Sequence, residues 1–150
     1  MIDEKTLEDS VRGKKVLIDS NIIIYLTEEI KPYHKPAKKL FSLIEDGSIK
    51  AVISILSVTE VIQGPLRVGR PDIAMAVKNY LVNFPNSICQ HITLDVLDRV
   101  GVDKNVDWSM LRTADSLIIA SGLQAGAELF VSNDRHFAKS LPAGMLLSFE

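Results

Sequence analysis

Of its 150 residues, the chain has one cysteine, one tryptophan and three histidines, and aromatic residues make up 6% of it. A lone cysteine, Cys89, makes no disulfide within the chain, which fits a reducing cytoplasm. The scattered positions of His34, His91 and His136, with no thiol pair, disfavour a zinc site. No long hydrophobic run is present: the longest, Ile22 to Leu26, falls far short of the ~20 residues a membrane span needs. The acidic start, Met1-Ile2-Asp3-Glu4, lacks the basic patch and apolar segment of a secretory signal. Nor is there an excess of charge of one sign, with 17 bases against 19 acids and a net charge of −2.

What is present is apolar content, at 47%, enough for a packed core in a chain of this length and too much for disorder. The length suits one domain spanning residues 1–150. The small negative charge argues against a nucleic-acid partner only if every acid lies free on the surface. Should four acids be committed to a metal site, 15 remain against 17 bases, and nucleic acid stays open.

β-rich runs alternate with helical periodicity. Strands are predicted at Lys15–Asp19, Ala51–Ser54, Ile88–Ile92, Leu129–Val131 and Met145–Phe149. Between them, Ala37, Leu40, Phe41 and Ile44 mark one helix, ended by Asp46-Gly47, and Ser57 to Gln63 marks another. Gly64-Pro65 and Gly69-Arg70-Pro71 bracket a connector, after which Ile73, Val77, Tyr80, Leu81 and Phe84 form a stripe. Thr93 caps a helix through Leu97 and Val100, Asp103 to Arg112 reads as a loop, and Thr113 opens the most apolar helix. This alternation predicts a three-layer α/β/α sandwich around a mostly parallel, five-stranded sheet.

In such a sheet the reactive edge lies at the carboxyl ends of the strands. Asp19 ends the first strand, Asp134 follows the fourth, Glu60 lies within reach of the second, and Asp115 stands in the first turn of a helix starting at that edge. Each has a plainer explanation. Ser57 with Glu60 matches a capping box, Asp115 suits a helix dipole, and Asp19 and Asp134 suit turns. Together, four anions on one partly buried rim would cost stability unless a cation sat among them. An all-oxygen donor set suits Mg²⁺ or Mn²⁺, and the matching chemistry is metal-assisted phosphodiester hydrolysis.

The residues also resemble a known family. Val16-Leu17-Ile18-Asp19-Ser20-Asn21 is similar to the opening motif of PIN domains, and Glu60 in Ser57-Val58-Thr59-Glu60 to their second acid. Thr113 to Ala120 and Gly126 to Phe137 resemble the third and fourth motifs, in order along nearly the whole chain. The likeness is nearest to VapC-type toxins of toxin–antitoxin modules. It implies a cytoplasmic, Mg²⁺- or Mn²⁺-dependent ribonuclease, often homodimeric, with an RNA substrate and a small antitoxin whose tail blocks the acidic pocket. Asp19, Glu60, Asp115 and Asp134 would then be the catalytic metal ligands. The residues before Val16 and the stretch Asp103 to Arg112 fall outside the resemblance.

Arg112 and Arg135, next to proposed ligands, are candidates to hold phosphates, with pairing to the same carboxylates as the alternative. Asn21 and Ser132 are candidates for hydrogen bonds to a ligand or nucleotide. Two other functions compete: a PIN-like binding module without turnover, and a Mg²⁺-dependent phosphatase working through an aspartyl nucleophile. The second usually carries paired aspartates two apart, and Asn21 stands in the second place.

Overall fold

A computed structural model describes all 150 residues. The chain opens with helix α1 (Glu4–Val11), capped by Asp3, whose carboxylate accepts the Thr6 backbone N–H at 2.7 Å. Strand β1 (Lys15–Ile18) leads into α2 (Ser20–Thr27), and α3 (His34–Glu45) follows. Strand β2 (Lys50–Ser54) feeds α4 (Ile55–Arg67), which pairs with α5 (Pro71–Val82) before strand β3 (Ser87–Gln90). Helix α6 (Leu94–Arg99), capped by Thr93, precedes a loop with one short 3-10 turn at Trp108–Met110. Helix α7 (Thr113–Gln124), strand β4 (Leu129–Val131), helix α8 (Arg135–Ser140) and strand β5 (Leu146–Leu147) complete the fold.

All strand pairs are parallel, in the order β3-β2-β1-β4-β5. Successive strand residues point to opposite faces, so the sheet feeds two cores. Val16, Ile18, Ala51, Ile53, Leu129 and Val131 face one layer, with Leu7, Val11, Leu40, Phe41 and Ile44. Leu17, Val52 and Phe130 face the other, with Ile118, Ile119 and Phe137. The three-layer sandwich expected from the alternation is the observed fold.

The second layer depends on one glycine. A Cβ on Gly122 of α7 would come within 2.6 Å of Phe130 Cε2 and 2.9 Å of Leu17 Cδ1. Only a bare backbone lets α7 lie this close to the sheet.

The structure corrects several sequence expectations. Gly64 and Pro65 do not break a helix but lie inside α4. Gly64 packs against α2's end, where a Cβ would stand 3.0 Å from Glu28 Oε2. Helix α4 is capped by Ser54, whose hydroxyl accepts the Leu56 N–H at 3.2 Å, so Ser57 lies inside the helix and forms no capping box with Glu60. The α5 stripe is only half buried: Leu81 and Phe84 are core, whereas Ile73 and Tyr80 face solvent. The third strand stops at Gln90, short of Ile92, and in the last only Leu146 and Leu147 pair. No helix is long and apolar enough to cross a membrane.

Candidate functional site

Strand order places the site. From β1 the chain moves to β2 and β3 on one side, then crosses to β4 and β5 on the other. The reversal leaves a crevice beyond the carboxyl ends of β1 and β4, the place where open parallel sheets bind ligands. Asp19 directly follows β1 and Asp134 stands three residues beyond β4. Both are N-cap residues, Asp19 for α2 and Asp134 for α8, so turning a strand into a helix fixes each carboxylate.

Asp19 is 3% exposed. Its Oδ1 accepts the Ser20 N–H at 2.8 Å, and its Oδ2 accepts the Ser132 hydroxyl at 2.6 Å and the Asn21 amide at 3.3 Å. Burial pushes its pKa up to about 7 despite the Ser132 and Ser20 bonds, and the charges of Glu60 and Asp134 add to the rise. Ser132 has no free capacity. It accepts from the Asp134 N–H at 3.0 Å and from the Asn21 amide at 3.3 Å, which leaves its own proton for Asp19. Asn21 in turn accepts the Asn133 N–H at 3.3 Å. The hydroxyl and amide therefore orient Asp19 rather than face the crevice.

Asp115, in the first turn of α7, is also buried. Its Oδ2 lies 3.0 Å from Arg112 Nε, and Arg112 Nη2 lies 3.3 Å from Asp134 Oδ2. One guanidinium thus bridges two of the predicted acids, and these contacts hold its proton more tightly than usual. Arg112 is nonetheless 65% exposed, free to leave toward solvent. Arg135 is exposed and makes no such contact with the acids. Glu60, on the second turn of α4, is exposed and unpartnered, yet its charge reaches both Asp19 and Arg112.

One residue escaped the sequence reading. His136, set aside because no other histidine or cysteine lies near it in sequence, has its Nδ1 2.9 Å from Asp134 Oδ1. Asp115, Asp134 and His136 each bring one ligand atom to within 4.8 Å of the others. The two-residue spacing from Asp134 was the only signal available.

The donor set fits a hard divalent ion. Two carboxylates and an imidazole, from Asp115, Asp134 and His136, form the close set, while Asp19, buried against the charges of Glu60 and Asp134, and Glu60 itself lie outside it. The Arg112 guanidinium lies between Asp115 and Asp134. A protein that places arginine there has a rim that demands positive charge.

Comparisons with known proteins agree with the fold. The fold is similar to VapBC2 of Rickettsia felis bound to a promoter DNA fragment, at a TM-score of 0.63 and 14% identity, covering 91% of this chain and 99% of that one. It is similar to DNA-bound VapBC of Salmonella typhimurium, at 0.64 and 16%, covering 90% and 98%. A third likeness is to VapC20 of Mycobacterium tuberculosis, a toxin that cleaves the sarcin-ricin loop, at 0.60 and 16%, covering 83% and 93%. No curated protein sequence matches. The model of the PIN domain matches residues 16–140, the span from β1 to the end of α8 that carries every acid of the rim. With that match and the parallel sheet that presents those acids, the chain belongs to the PIN domain family.

Proposed function

We propose that the protein is a metal-dependent endoribonuclease that cuts single-stranded RNA and serves as the toxin of a toxin–antitoxin pair. The observation that carries this is the convergence of Asp19, Asp115 and Asp134 at the β1/β4 crevice, with Glu60 close enough to act on Asp19 by charge. These four acids would hold Mg²⁺ or Mn²⁺, directly or through water. When bound, the ion supplies a water of lowered pKa and polarises a phosphoryl oxygen.

The chain's own residues do the rest. Ser132 and Asn21 hold Asp19 in one orientation, so the crevice needs little rearrangement to accept a cation. With the acids holding an ion, Arg112 would be released from them, and its planar fork would be available to a phosphate of the substrate. Arg135, exposed beside Asp134, extends the same positive side of the crevice along an RNA backbone. Glu60, with no partner in the protein, is the carboxylate left to orient the attacking water and accept its proton.

The partner reading has its own support. The similar structures from Rickettsia felis and Salmonella typhimurium are VapBC complexes. Here Leu66 of α4, Val68 in the connector and Ile73, Met75, Tyr80 and Val82 of α5 are exposed apolar side chains that a partner could cover. An antitoxin and a second copy of the chain are the proposed occupants of the crevice and of this surface.

The deciding experiment uses purified full-length protein, free of antitoxin, with single-stranded RNA and Mg²⁺ or Mn²⁺. Cleavage is expected for the wild type and absent in Asp115→Asn, with unchanged circular dichroism. Failure of the wild type to cut RNA with either ion overturns the enzymatic reading. An Asp115→Asn variant that keeps its effect on cells would mark a binding module instead.

A further inference from the structure

His136 stands in the first turn of α8, two residues beyond the acid that caps that helix. Its backbone N–H donates to Asp134 Oδ1 at 2.7 Å, and its imidazole Nδ1 lies 2.9 Å from the same oxygen. The cap therefore fixes both the carboxylate and the ring beside it. The ring is 44% exposed, so it is not packed away as a core histidine. It also has no partner among the protein's acids other than Asp134.

The donors lie near enough for one ion to gather them. An ion with donors at about 2.1–2.2 Å holds neighbouring donors about 3 Å apart and opposite donors about 4.3 Å apart. Nδ1 of His136 and Oδ1 of Asp134 are 2.9 Å apart, and no pair in the set with Asp115 exceeds 4.8 Å. A plain hydrogen bond has the same short distance. That bond does not account for Asp115, which comes from the first turn of α7 and shares Arg112 with Asp134.

We propose that His136 supplies a nitrogen ligand to the ion held by Asp115 and Asp134, and that this nitrogen makes the site favour Mn²⁺ over Mg²⁺. The inference rests on the metal-dependent reading above. Its chemical basis is ligand type: Mg²⁺ seeks oxygen and gives up water reluctantly, whereas imidazole binds transition metals well. A site of carboxylates alone lacks that bias.

Pulsed electron paramagnetic resonance of the full-length protein with one equivalent of Mn²⁺ tests this directly. The wild type is expected to show the ¹⁴N coupling of a directly bound imidazole, and His136→Ala to lose it while remaining folded by circular dichroism. By calorimetric titration, His136→Ala should bind Mn²⁺ about tenfold more weakly and Mg²⁺ less than about threefold more weakly. His136→Asn, which keeps a polar group next to the cap, should behave as the alanine variant does. Bound Mn²⁺ without imidazole coupling in the wild type, or equal losses for the two metals, overturns the assignment of His136 and leaves the nuclease reading standing. Absence of any Mn²⁺ binding overturns both.

Discussion

The Ser132 hydroxyl gives its proton to Asp19 across 2.6 Å, and two further donors, the Asp134 N–H and the Asn21 amide, leave that proton no other direction. Ser132→Ala removes a donor from a buried carboxylate and strands the Asp134 N–H as well. We expect a loss of about 1–3 kcal/mol in urea denaturation and roughly tenfold weaker Mn²⁺ binding by calorimetry. Unaltered metal affinity would show that Asp19 does not need this support.

Asp19 sets a pH dependence in the metal-free protein. Its folded pKa, near 7, lies above that of an unfolded aspartate, so the folded state holds a proton that the unfolded state has released. The stability this proton provides is complete below about pH 4 and disappears as pH rises through 7. In chelator, the wild-type melting temperature should therefore fall between pH 5 and 8 relative to Asp19→Asn, in which the position does not titrate. Mn²⁺ should remove most of that difference at pH 8, because the cation replaces the proton. Parallel melting curves for the two proteins across this range would contradict the assignment.

Arg112 occupies two of the carboxylates that the proposed ion would bind, so the two would compete. Arg112→Ala should cost the metal-free protein about 1–3 kcal/mol, since it leaves the buried Asp115 carboxylate without its partner, yet tighten Mn²⁺ binding a few-fold. RNA cleavage should fall at the same time, because the arginine's phosphate contact is lost. Weaker metal binding in this variant would show that the guanidinium supports the ion rather than standing in for it.

Gly122→Ala tests the packing of α7 on the sheet. The added methyl meets ring atoms of Phe130 and a methyl of Leu17 well inside contact distance. Overpacking of this kind costs about 1–3 kcal/mol, to be read from the denaturation midpoint. Asp115 lies on the same helix, so loosened metal binding should accompany the loss.

The sequence made the sheet and its acids legible, because those features are local. Val16-Leu17-Ile18 and Leu129-Phe130-Val131 are short apolar runs ending in aspartate-bearing turns, whereas the strand order, set by which strands meet over long range, is seen only in the structure. The missed elements are those whose stability comes from elsewhere. Helix α1 shows only Leu7 and Val11 as buried apolar residues, too few for a visible period, and it forms because α3 covers them. Helix α8 spans six residues and depends on the Asp134 cap. Ser54 serves both as the last residue of β2 and as the cap of α4, which hid the true helix start and made Ser57 look like the cap. The stripe on α5 reported a face correctly, but periodicity does not say what covers a face, and Ile73 and Tyr80 are left uncovered. His136 was hidden for a related reason. Its neighbours in space come from α7 and the β4 turn, and nothing in the spacing of residues 115 and 136 announces that they meet.

The position of β4 has a consequence for the order of events during folding. This strand is an inner neighbour of β1 although it lies more than a hundred residues from it in sequence, and the turn after it delivers Ser132 and Asp134 together. Until it slots in beside β1, Asp19 lacks its hydroxyl donor and the crevice has only one wall. Whatever the finished rim does therefore waits on this one long-range pairing, and the local contacts of β1 with β2 cannot supply it.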